Sequence, residues 1–153
     1  MNLDQVNALF AQLGPVLNPL AIEANEETKA WGIALEEDLM VLAQFDEEKG
    51  CLVLSTELGV PASGDRTALY ELLLRANYHW DATGGVRLAI NGPDGEVFQV
   101  VEIPVDGSDA TRLSAIVTSY AESAKAWREI VQGLASGSAP PPEELPTKPG
   151  LRL

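Results

Sequence analysis

The chain holds one histidine, His79, and one cysteine, Cys51. With a single imidazole, no multi-histidine metal site can be assembled within the chain, and any Ser-His-Asp relay would have to use this ring. His79 stands between Tyr78 and Trp80 at the end of a predicted helix, where a structural or surface role is expected. A pocket around these three residues is the one place where a small-ligand binder or an enzyme could be sought. Cys51 opens an apolar strand with no second histidine or basic cluster beside it, so it reads as a buried, inert thiol. It has no intrachain partner for a disulfide.

Carboxylates are plentiful but badly placed for acid/base work. Glu36-Glu37-Asp38 and Asp46-Glu47-Glu48 flank one strand at its two ends and read as solvated turns, whereas a catalytic pair needs two carboxyls in contrasting environments. The glycines make no phosphate cradle: Gly84-Gly85 is not followed by a helix bearing Lys and Ser or Thr, and Gly92 to Gly95 joins two strands. No catalytic residue, metal ligand or cofactor is therefore expected. Binding to another protein is the expected mode of action.

The composition agrees. At 153 residues the chain can bury roughly 70% of its unfolded surface, enough for one core, and 46% hydrophobic against 22% charged residues is globular composition. Ten basic and 23 acidic residues leave a charge of -13, a field that repels nucleic acid and anionic lipid. Residues 1 to 65 contain twelve acids against Lys29 and Lys49, which suits a basic partner as well as plain solubility. The start lacks a signal peptide's basic and apolar regions, and no run of about 18 apolar residues occurs. A cytoplasmic protein without membrane insertion is expected.

The elements follow from periodicity. Leu3, Val6, Phe10, Leu13 and Leu17 recur at helical spacing, with Gly14 and Pro15 expected to end that helix near Leu13. Trp31, Ile33 and Leu35 alternate along a first strand. Leu39, Val41, Ala43 and Phe45 share one side of a second, which forms a hairpin with Cys51 to Ser55. Asp65 is the expected cap of a helix from Arg66 to about Asn77. Leu69, Leu72, Leu73 and Ala76 form one stripe of that helix; Tyr70, Leu74 and Tyr78 form a second. Val86 to Ile90 and Glu96 to Ile103 make another hairpin. Asp109 can cap a last helix in which Leu113, Ile116, Val117, Tyr120, Ala124, Trp127, Val131 and Leu134 keep step for over five turns. The expected fold is α+β, in the order α-β-β-β-α-β-β-α, with an antiparallel sheet packed by helices. Residues 1–135 form one domain, and residues 136–153, rich in proline and uncharged on balance, read as a disordered tail.

The hairpin strands are apolar on both sides, and so is the middle helix. Three helices can cover one face of such a sheet, leaving part of the other to a partner or a second subunit.

Several stretches resemble the CesT-type (Tir chaperone) family, the class I chaperones of type III secretion. They are the opening helix ending in Leu13-Gly14, the strand closing on Phe45-Asp46 followed by Gly50-Cys51, the run Leu72-Leu73-Leu74-Arg75-Ala76-Asn77, and Ala126-Trp127-Arg128. The resemblance covers residues 1 to 135. It implies a chaperone that holds an extended segment of a secreted effector protein, keeps it soluble and export-competent, and needs no ATP. It further implies a homodimer whose interface involves the middle helix and the neighbouring strand, with Tyr70, Leu74 and Tyr78 as candidate interface residues. Val6, Phe10, Val41, Phe45, Leu52 and Leu54 are the candidate effector contacts. YbjN-like proteins share the architecture without a tie to secretion, and a regulatory or protein-interaction module of that kind is the alternative.

Overall fold

A computed structural model describes residues 1–61, 66–92 and 95–135. The tail and the expected cap Asp65 lie outside these residues. Among those described, three helices and six strands follow in the order α1 (Leu3–Leu17), β1 (Ala21–Asn25), β2 (Ala30–Glu36), β3 (Leu39–Asp46), β4 (Cys51–Gly59), α2 (Thr67–Tyr78), β5 (Arg87–Asn91), β6 (Glu96–Pro104) and α3 (Ala110–Ala135). The strands form one antiparallel sheet in the order β1-β2-β3-β4-β6-β5.

The α+β class and the order of the expected elements hold, with one strand more than expected. β1 pairs along its whole length with β2, from Ala21 opposite Ala34 to Asn25 opposite Ala30. Its sequence AIEAN has a single large apolar side chain, Ile22, so it has no alternation to detect; its pairing comes from β2 rather than from its own propensity. The first helix also runs further than expected, through Gly14 and Pro15 to Leu17, and ends at Asn18 in the left-handed conformation. Pro15 removes one backbone donor, but so near the C-terminus the last turn still closes, with Asn18 N–H donating to the Gly14 carbonyl at 2.9 Å. At its other end Asn2 and Gln5 form a reciprocal capping box.

All three helices lie on one face of the sheet. Val6, Leu9, Phe10 and Leu13 of α1 meet Trp31, Ile33, Val41, Phe45, Leu52, Leu54 and the first half of α3 in one apolar cluster. Leu69, Leu72, Leu73 and Ala76 of α2 meet Leu39, Leu58, Leu88, Val97 and the second half of α3 in the other. Helix α3 is thus shared by both halves of the core, its N-terminus capped by Asp109, whose carboxylate accepts from Arg112 N–H at 2.8 Å.

One buried polar knot ties α3 to the sheet. Gln99 is fully buried on β6; its Nε2 donates to the Tyr120 carbonyl at 3.0 Å, and the Tyr120 hydroxyl donates back to the Gln99 carbonyl at 2.6 Å. Ser123 Oγ donates to Gln99 Oε1 at 3.2 Å. Buried polar groups are tolerated when they satisfy one another in this way, and the pairing fixes the height of the helix along the strand.

Candidate functional site

The two edges of the sheet differ. At the β5 edge, Asn77 of α2 acts as a substitute strand: its Nδ2 donates to the Leu88 carbonyl at 2.9 Å and its Oδ1 accepts from Leu88 N–H at 2.8 Å. That edge is occupied at its centre. At the other edge, no strand among the described residues pairs with the far side of β1, so it presents backbone donors and acceptors to an incoming chain.

Beside β1, helix α1 stands off far enough to leave a groove of about 530 Å³ lined by Asn7, Phe10, Ala11, Gly14, Pro19, Ala21, Ile22, Ala24 and Trp31. A second hollow of about 310 Å³, with Leu3, Asp4, Asn25, Glu26 and Lys29 in its walls, shares Asn7, Ala24 and Trp31 with the first and continues it along the helix. The small residues Ala11, Gly14, Ala21 and Ala24 keep the walls apart. On the floor the rings of Phe10 and Trp31 are stacked, with centroids 4.3 Å apart and planes within 2°. An extended segment laid here can pair with β1 while dropping alternate apolar side chains into the groove, the two components of strand-addition recognition.

The six candidate contact residues fall differently from expectation. Val6, Val41, Leu52 and Leu54 are fully buried and Phe45 nearly so, all within the core between sheet and helices. The first four serve as packing residues in this structure, while Phe45 also lines a hollow of about 620 Å³ with Lys29, Gln44 and Val53. Phe10 is also almost wholly buried, but its ring forms part of the groove floor. The reason is the strand period of two: Leu39, Val41, Ala43 and Phe45 all point one way, and the sequence gives both sides apolar residues. The side facing away from the helices carries Met40, 59% exposed, and Leu42, 42% exposed. Trp31 and the walls of β1 are functional candidates that sequence reasoning missed, because β1 has no period and Trp31 reads as an ordinary core residue.

The middle helix behaves as its two stripes require. Leu69, Leu72, Leu73 and Ala76 are buried, Tyr70 is half-buried, and Leu74 and Tyr78 are 70% and 81% exposed. Trp80 and Ile90 are exposed too.

Tyr78, His79 and Trp80 all stand exposed at the end of α2, where Tyr78 and His79 touch edge to face at 5.2 Å. Cys51 is buried, and burial, followed by the nearby Glu102 and Asp46 charges, pushes its thiol pKa up, away from a reactive thiolate. Glu36 pairs with Lys125, Asp38 with Arg128 and Glu47 with Lys29, all at the surface. Among the described residues no three His, Cys, Asp or Glu side chains converge as metal ligands, and no helix is long and apolar enough to cross a membrane.

With a helix-faced antiparallel sheet, an open edge and an apolar groove established, the class is that of an α+β domain with all three helices on one face of the sheet. The chain belongs to the Tir chaperone protein (CesT) family, whose sequence model matches residues 9–128. Three solved structures have the same fold. The Yersinia pestis type III secretion chaperone SycH, solved in complex with a stable fragment of YscM2, is 21% identical with a TM-score of 0.60, over 78% of this chain and 96% of that one. A chain of the ExsC-ExsE complex is 17% identical with a TM-score of 0.70, over 84% and 95%. A chain of the HopA1-SchA chaperone-effector complex is 14% identical with a TM-score of 0.67, over 84% and 98%. No curated protein is a match at the sequence level.

Proposed function

We propose that this chain is a cytoplasmic type III secretion chaperone that holds an extended segment of an effector protein and keeps it soluble and export-competent without ATP. The observation that carries the reading is the open β1 edge beside the α1 groove, in a chain of the Tir chaperone family. Structural neighbours captured with a partner fragment or an effector support it. The work asked of the protein is binding alone: a partner segment gains apolar burial in the groove and hydrogen bonds along β1, offsetting the freedom it loses. No bond is made or broken, so the exposed His79 and the buried Cys51 need no catalytic part. The chain acts as a homodimer through the exposed stripe of α2, with Leu74 and Tyr78 at its centre and Tyr70 at its margin.

The test is to purify the tagged chain from its native cytoplasm and measure the complex by light scattering. A dimer carrying one exported, otherwise aggregation-prone protein is expected, and Ala11→Trp, which fills the groove from an exposed helix position, should lose that cargo while keeping the fold. A monomer without a protein partner would overturn the reading in favour of a regulatory module of the same architecture.

A further inference from the structure

The groove beside β1 has two unlike ends. At one, Phe10, Ala11, Gly14 and Ile22 surround an apolar hollow whose floor is the Phe10–Trp31 stack. A Cβ added at Gly14 would meet no atom within 4 Å, so the space above that wall is free. At the other end, Asp4 of α1 faces Asn25 and Glu26, where β1 finishes, across the smaller hollow. The pairing of β1 assigns its side chains to faces. Ile22 lies opposite Ile33 and Ala24 opposite Trp31, both core residues beneath the helices, so these two share the groove side. Glu23 lies opposite Gly32, on the reverse side of the sheet. A strand added to β1 continues this alternation: its residues across from Ile22 and Ala24 enter the groove, and the one between them stands beside Glu23.

Charge then restricts what such a strand can carry. Residues 1–28 contain Asp4, Glu23, Glu26 and Glu27 and no Lys, Arg or His. All four carboxylates are exposed, and among the described residues none of them is in an ion pair. The first base of the chain, Lys29, is held by Glu47 at 2.7 Å. Elsewhere the surface acids Glu36, Asp38 and Glu102 do meet basic side chains. The open edge is therefore the part of the sheet whose acids have no cation of their own, and a strand bringing further acids would set like charges side by side, which destabilises a strand pair.

We propose that the groove selects partner segments of one chemical pattern: two large apolar side chains two residues apart, a Lys or Arg between them beside Glu23, and a second Lys or Arg two residues beyond the pair, between Asp4 and Glu26. Along a strand antiparallel to β1 the pattern reads basic, any, apolar, basic, apolar; along a parallel one it reads in reverse. The apolar pair supplies burial on the Phe10–Trp31 floor, and the two cations decide which of many apolar segments is held. Because the second cation sits at one end only, it also fixes the register of the segment along β1, which backbone pairing alone leaves free. The inference rests on the effector reading and adds the chemistry of the partner to it.

The test selects from a displayed library of random linear peptides on the full chain and, in parallel, on Ala11→Trp; the most enriched peptide is then synthesised and titrated by fluorescence anisotropy. The expected result is enrichment of the pattern, with a basic residue at both places, on the unaltered chain alone. Glu23→Gln and Glu26→Gln should each weaken the peptide about two- to fivefold. Glu71→Gln and Glu129→Gln, which remove the same charge from exposed positions of α2 and α3, should leave its affinity unchanged. Enrichment that Ala11→Trp abolishes but that has no preference for charge, or equal weakening by all four substitutions, overturns the pattern and leaves the effector reading standing. If no enrichment depends on Ala11, the groove is not a binding site and both fall.

Discussion

At the scale of single residues, Phe10 and Phe45 show how much depends on which way a side chain points. Both sit at apolar positions of well-patterned elements and are almost wholly buried, yet only Phe10 forms part of the groove floor. Phe45→Asp would put a charge into the core, with an expected cost of about 4 kcal/mol or more, a large share of a domain's stability. Urea unfolding followed by circular dichroism would read it. Tyr120 gives a pH prediction. Burial drives its hydroxyl pKa up, outweighing the opposing effect of its hydrogen-bonding neighbours Thr56 and Gln99. A raised pKa means that the folded state favours the neutral phenol. The associated stability is therefore complete below the unfolded tyrosine value of about 10 and declines as pH rises beyond it. Tyr120→Phe should lower stability at neutral pH by about 1 kcal/mol through the lost bond to Gln99 and flatten the alkaline fall. A pH series of denaturation midpoints on both proteins checks this.

At the scale of elements, Asn77 is the residue that decides which sheet edge is free. In the sequence it is the last letter of a leucine-rich helical run, and nothing in helix periodicity says that its amide will pair with Leu88 on a strand eleven residues later. Asn77→Ala would leave both backbone groups of Leu88 without this partner, for an expected loss of about 1–3 kcal/mol and faster amide exchange at Leu88. The unequal legibility of the elements has a physical basis. β3 and α3 bury regular stripes that are visible as periods of 2 and 3.6. β1 is built almost entirely of small or polar residues and is held by its neighbour, so its existence was not readable, and the groove it helps to form was hidden with it. The side of β3 that faces the helices was undetermined for a different reason: Met40 and Leu42 are as apolar as Val41 and Ala43, and only the position of α1 and α3 breaks the tie.

At the scale of the whole molecule, the exposed stripe of α2 and the excess of acid act together. Leu74→Glu replaces a 70% exposed apolar side chain, so the fold should survive while a dimer dissociates, and light scattering should report a folded monomer. A dimer unchanged by the substitution would place the interface elsewhere. A net charge of -13 also makes each copy repel the other, so the dimer should tighten as salt rises through the range where the Debye length falls from about 30 to about 8 Å. Sedimentation across that range distinguishes this from an interface held by ion pairs, which would loosen instead.

The order of the strands bears on how the protein emerges from the ribosome. The meander β1 to β4 is complete once residue 59 has been made, but the helix that closes both halves of the core, α3, ends 76 residues later, at Ala135. At about 5–20 residues per second, that interval is about 4 to 15 seconds. For that time Val41, Phe45, Leu52 and Leu54 lie on an apolar sheet that α3 cannot yet cover, so a newborn copy of this protein passes through its own period of needing shelter.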